Sequence, residues 1–148
     1  MKIRNINLSL NAAIGMLCLG VTSLTPVLAR ADATYYNEFG GRAGIHAVVT
    51  DMLTNVLADD RIKSYFTNAN IPVLNASLTN QVCMLEGGPC KFDENMKKIH
   101  ESLGITQAAF NALAEDLQKS MNQHNIPLAA QNDLLSKLAP MEPAIVTK

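Results

Sequence analysis

Tryptophan is absent, and the three tyrosines and four phenylalanines bring aromatic content to only 5% of 148 residues. No G-x-S-x-G, G-x-G-x-x-G, phosphate-loop or H-E-x-x-H pattern occurs, which removes the common hydrolase, dinucleotide, nucleotide and zinc-protease readings. Its 12 basic and 13 acidic residues nearly cancel, so no basic footprint points to nucleic acid. Three cysteines are too few for a disulfide-built mini-protein, and no C-x-x-C or C-x-x-C-H is present. His46, His100 and His124 stand too far apart to form a zinc spacing. The remaining composition, 48% hydrophobic and 17% charged, is that of one ordinary globular domain.

That average hides two kinds of text. Lys2 and Arg4 precede an apolar stretch from about Ala12 to Leu28, and Ala29-Arg30-Ala31 follows. A basic start, an apolar middle and small residues at A-x-A spacing together predict a secretory signal peptide over residues 1–31, cleaved near Ala31 or Ala33. Asn11, Gly15, Gly20, Thr22, Ser23, Thr25 and Pro26 interrupt the apolar run, which makes a stable membrane span the poorer reading. Cleavage sheds Lys2, Arg4, Arg30 and Cys18, leaving about 117 residues, a net charge of about -4 and an even pair of cysteines. An exported, periplasmic or secreted domain over residues 32–148 is therefore expected.

The remaining chain shows helical periodicity and no sustained alternation. Ile45, Val48, Val49, Met52, Leu53, Val56 and Leu57 line one face of a helix over Arg42–Ala58, entered through Gly40-Gly41. Leu74, Leu78, Val82 and Leu85 mark a second from Pro72 to about Leu85, stopped by Gly87-Gly88-Pro89. A third runs from about Asp93 to Leu103. Thr106 caps a fourth carrying Phe110, Leu113, Leu117 and Met121. After Asn125-Ile126-Pro127 a last helix holds Leu128, Leu134, Leu135 and Leu138, and Pro140 closes it. The fold class is all-α, with no repeat and no second domain.

Few side chains in this inventory carry chemistry. His124 sits in the polar run Asn122–Asn125 and reads as a solvated residue, while His46, beside Ile45 and Val48, reads as structural or half-exposed. His100 shares a helical face with Met96 and Leu103 and should look inward. A lone inward histidine is commonly hydrogen-bonded in a core, so spacing alone leaves a metal-ligating role open.

An ordered set of short blocks bears on that choice. Tyr36-Asn37-Glu38-Phe39-Gly40-Gly41-Arg42, Val56-Leu57-Ala58-Asp59-Asp60 and Tyr65-Phe66 are followed by Leu85-Glu86-Gly87-Gly88-Pro89. Met96-Lys97-Lys98-Ile99-His100, Leu103-Gly104-Ile105-Thr106, Asn125-Ile126-Pro127 and Leu138-Ala139-Pro140 complete the set. In order and spacing these resemble the group 1 truncated haemoglobins, over nearly the whole of the segment after the signal. The resemblance implies a two-over-two helical sandwich around haem b, with His100 as proximal iron ligand and Phe66 packed on the porphyrin. His100's second ring nitrogen would donate to a carbonyl or water. Met96 would line the same site, and Lys97-Lys98 would either meet a propionate or form a solvated face.

Three departures from the family bear on function. Where the family commonly offers distal hydrogen-bond donors, the aligned positions here are Leu53, Leu74 and Leu78. Thr79 and Gln81 are the alternative donors if that helix is turned, and a water is another. A donor over bound O2 contributes roughly 1–3 kcal/mol, about five- to a hundred-fold in affinity. Its loss predicts fast O2 release and easy oxidation, with CO and NO less affected. Second, the stretch from Pro89 to His100 is one residue shorter than in many relatives. Third, Cys83 and Cys90 flank the Gly-Gly-Pro turn; in an exported protein a disulfide is favoured, the alternative being one buried and one exposed thiol. The leading function is reversible binding of O2, NO or CO for transport, sensing or detoxification. The alternatives are NO dioxygenase or peroxidase-type chemistry with an electron donor, and a haem-free helical binding module.

Overall fold

The computed structural model describes residues 34–148, so the expected signal peptide lies outside the described residues. Among the described residues seven α-helices follow one another: α1 (Thr34–Glu38), α2 (Gly41–Ala58), α3 (Ile71–Leu85), α4 (Met96–His100), α5 (Gln107–Gln123), α6 (Leu128–Leu138) and α7 (Glu142–Ile145). Single turns of 3-10 helix occupy Lys63–Phe66 and Ala139–Met141. Among the described residues there is no strand, and no helix is long and apolar enough to cross a membrane.

The long helix α2 is the centre of the fold. Its start is built by Gly40 and Gly41, at φ +77° and +67°, a left-handed geometry that costs glycine little. The Tyr36 hydroxyl then accepts the Arg42 N–H at 3.0 Å, satisfying one of the donors that a helix start leaves over. From there Ile45, Val48, Val49, Met52, Leu53 and Val56 are all buried, as their spacing requires. α2 packs on α3 along one side and on α5 along the other, while α6 touches both α3 and α5. The result is α2 and α3 laid over α5 and α6, two helices on two. Small residues let α5 come close: Ala109 and Ala112 are buried, and Ser120 Oγ donates to the Val48 carbonyl at 2.6 Å.

Three features depart from the sequence expectation. α4 is confined to Met96–His100, because the Asn95 side chain accepts the Lys98 N–H at 3.0 Å and starts the helix there. At its other end Gly104, at φ +62°, turns the chain away. Pro140 ends α6 but not the helical path, since Pro140 and Pro143 both stand in first turns, where a missing N–H is no loss. The extra helix α7 packs against α4, and the Thr147 and Lys148 N–H groups both donate to the Ile105 carbonyl, at 2.9 and 3.2 Å. Last, His124 is not simply solvated: it is half-buried and pairs with Asp51 across the α2–α5 interface at 2.7 Å. His46 is exposed.

Helix α3 ends in a covalently closed turn. Cys83 and Cys90 form a disulfide, with Cα atoms 5.7 Å apart, around Gly87-Gly88-Pro89. Beside it Glu86 is completely buried and neither carboxylate oxygen has a hydrogen bond; the nearest cation, Lys137 Nζ of α6, stands 3.7 Å away. Burial pushes the Glu86 carboxyl up to about 7, against the opposing pull of Lys137.

Candidate haem site

The candidate residues come from four elements. Leu53 is fully inside on α2; Phe66 ends the 3-10 turn; Leu74 and Leu78 lie one helical turn apart on α3; Met96 and His100 begin and end α4. Leu53 belongs to the core, and Phe66, Leu74 and Leu78 pack against that core from outside. Phe66, Leu74, Leu78, Met96 and His100 are all only half-buried. Helix α4 takes its main packing from α7 rather than from α2, α3 or α5. Leu74 and Leu78 thus keep part of their apolar surface uncovered, while the histidine-bearing α4 is held mainly by α7.

His100 is oriented by its own helix. Its Nδ1 lies 2.7 Å from the Met96 carbonyl, one turn earlier. A carbonyl only accepts, so Nδ1 carries the hydrogen and Nε2 presents a lone pair. That is the tautomer a metal-binding imidazole needs, fixed by a second hydrogen bond of the kind such ligands commonly make. The residues therefore fit a planar, apolar group with an axial nitrogen ligand. Among the described residues no cluster of three His, Cys, Asp or Glu side chains offers an alternative metal centre. A separate polar cleft between the end of α2 and α5 is lined by Asp59, Arg61, Glu115 and Asp116, but Arg61 already pairs with Asp59 and Glu115.

The polar residues of α3 divide between two faces. Asn75 and Thr79 turn toward α2: Asn75 Nδ2 donates to Thr50 Oγ1 at 2.9 Å, and Thr79 Oγ1 donates to Asn75 Oδ1 at 3.2 Å. Thr79 is thus taken up by the helix interface. Gln81 sits at i+3 from Leu78 and i+7 from Leu74, on their face, and is 5% exposed. Its amide donates toward two sulfurs, Met141 Sδ at 3.4 Å and Met96 Sδ at 3.9 Å. Met141 was not indicated by the sequence, since it lies beyond the proline expected to end the last helix. Lys97 and Lys98 are exposed.

A family model described as bacterial-like globin matches residues 34–147. The chain belongs to the bacterial-like globin family. Among its relatives, the group 1 truncated haemoglobin GlbN of Mycolicibacterium paratuberculosis is 28% identical over 116 residues, 78% of this chain and 85% of that protein. The group 1 truncated haemoglobin of Tetrahymena thermophila is 33% identical over 95 residues, 64% of this chain and 78% of that protein. The crystal structure of the Tetrahymena pyriformis truncated haemoglobin in its Fe(III) form superposes with a TM-score of 0.73 at 25% identity, covering 77% of this chain and 98% of that one. The all-α truncated-globin fold expected from the sequence is the one observed. As a globin, the protein holds haem and binds diatomic ligands there.

Proposed function

We propose that this globin is an exported haem b protein in which His100 is the proximal iron ligand through Nε2. The observation that carries the assignment is the 2.7 Å contact between His100 Nδ1 and the Met96 carbonyl, which leaves Nε2 as the nitrogen with a lone pair. Haem, when bound, would supply an iron that takes up O2, NO or CO. The chain's own residues do the rest. Met96 orients the imidazole through its carbonyl and lends its side chain to the site. Phe66, Leu74 and Leu78 provide half-buried apolar surface for the porphyrin to cover, and Leu53 backs them from the core. None of these leucines can donate a hydrogen bond, so the protein favours CO and NO over O2 relative to relatives with polar distal side chains. Export is supported by the signal-like composition of residues 1–31 and by the disulfide, which suits an oxidising compartment.

Titration of the purified protein with haem, followed by absorption spectroscopy, tests the assignment. A Soret band that the His100→Ala variant shifts or abolishes is the expected result. The absence of any band, or a spectrum indifferent to that substitution, would overturn it.

A further inference from the structure

We propose that Gln81 is a positioning residue for His100: its buried amide fastens Met96 and Met141, and through the Met96 carbonyl it fixes the proximal imidazole. The inference rests on His100 holding haem, and it concerns the histidine's side of the site rather than the bound ligand.

A chain of contacts runs from α3 to the imidazole. Gln81 lies on α3 and is 5% exposed, so its amide is almost entirely withdrawn from water. Its Nε2 donates to Met141 Sδ at 3.4 Å and reaches Met96 Sδ at 3.9 Å. Met96 opens α4, and Met141 closes the 3-10 turn that leads into α7, the helix against which α4 packs. One amide thus joins α3 to both members of the α4–α7 pair. Met96 passes the constraint on, since its carbonyl accepts the His100 Nδ1 hydrogen at 2.7 Å.

Sulfur is a weak acceptor, so neither contact is strong by itself. Burial is what makes them matter: an amide withdrawn from water has no substitute partner when the sulfurs move away. Helix α4 is only five residues long, and so short a helix has little stability of its own, which leaves its position to the few contacts that reach it. The other buried polar side chains of α3 are engaged elsewhere, Asn75 and Thr79 being bonded in series to Thr50 on α2. A hydrogen bond given by Nδ1 raises the basicity of Nε2, so the placement of the Met96 carbonyl governs how firmly the imidazole holds iron. Loosening the Gln81 contacts therefore reads out at the iron–histidine bond.

The test compares the haem-loaded protein with Gln81→Met, which keeps the length and removes the donor, and with Met141→Leu, which keeps the volume and removes the nearer sulfur. Two quantities are read: the iron–histidine stretching frequency of the ferrous, ligand-free protein by resonance Raman, and the rate of haem loss to excess apomyoglobin. The proposal expects the stretch at lower wavenumber in both variants and haem loss about ten-fold faster. The double variant should go no further than the larger single change, because both substitutions break the same contact. Ser120→Ala, which removes the buried bond to the Val48 carbonyl, is the control: it should lower the Tm and leave the iron–histidine band in place. A wild-type band in either variant, whatever happens to stability, overturns the positioning role. If Gln81→Met retains no haem, Met141→Leu alone decides by the same criterion. A wild-type Soret band indifferent to His100→Ala overturns the haem assignment and this inference with it.

Discussion

Glu86 allows a quantitative test of how the globin's stability depends on pH. Its carboxyl is fully buried, makes no hydrogen bond, and is pushed from an ordinary value of 4.5 up to about 7. The native protein therefore holds a proton at this position that the unfolded chain has already released. Stability is greatest below the unfolded value and declines as pH rises from about 4.5 toward 7, after which both states are ionised and the slope vanishes. A displacement of that size corresponds to about 3 kcal/mol, at about 1.4 kcal/mol per pH unit. Replacing Glu86 with glutamine removes the titration while keeping the shape. Lys137 retains Asp133 at 2.5 Å and the Leu85 carbonyl at 2.7 Å, so the substitution leaves no orphaned cation. Urea denaturation of haem-loaded wild type and Glu86→Gln at four values between pH 5 and 8 measures the effect. The wild type should lose stability across this range relative to the variant, and the difference should level off above pH 7. Parallel pH profiles for the two proteins would refute the reasoning, whichever is the more stable.

Restoring a donor at a leucine position should reverse the ligand preference: Leu78→Gln is expected to slow O2 dissociation about five- to a hundred-fold, measured by stopped-flow displacement with CO. The disulfide predicts no free thiol at Cys83 or Cys90 when the unreduced protein is unfolded and titrated, and the Cys83→Ala/Cys90→Ala double variant should lose about 2–3 kcal/mol in chemical denaturation. Gly44→Ala should be among the most damaging single-methyl changes in the protein. The added carbon would stand 1.8 Å from the Phe39 carbonyl oxygen, so the start of α2 must shift, and a retained wild-type Tm would contradict that geometry.

The parts of this fold legible in the sequence are those governed by short-range rules. The apolar stripe of α2 and the caps of α5 depend on residues within a few positions of each other, and both appear where the spacing put them. The length of α4 and the existence of α7 depend on distant partners. Five residues make a poor isolated helix; α4 persists because Asn95 caps it and α7 covers it, and α7 in turn persists through the Ile105 carbonyl that receives two N–H groups from the chain end. His124 follows the same logic, since its partner Asp51 is 73 residues away in sequence. The proposed site divides the same way. His100, Phe66 and the three leucines could be named from residue blocks, whereas the direction of the His100 imidazole depends on a hydrogen bond that only coordinates reveal.

Helix α3 shows why hydrophobic pattern alone under-describes such a site. Its sequence from Asn75 to Gln81 holds five polar residues among seven, which a pattern reading assigns to a solvated face. Yet Asn75, Thr79 and Gln81 are all buried, while Leu74 and Leu78 remain partly exposed. The inversion is tolerable because Asn75 and Thr79 satisfy each other and Thr50, so burial leaves no unpaired amide on the α2 side. With the polar residues serving as the attachment to α2, Leu74 and Leu78 keep partly exposed apolar surface that a guest can cover. The attachment also fixes the rotation of α3 about its axis, and that rotation places Gln81 beside Met96 rather than against α2. Substituting Asn75 would therefore act on the proposed haem face through helix rotation, since Asn75 and Thr79 themselves turn toward α2.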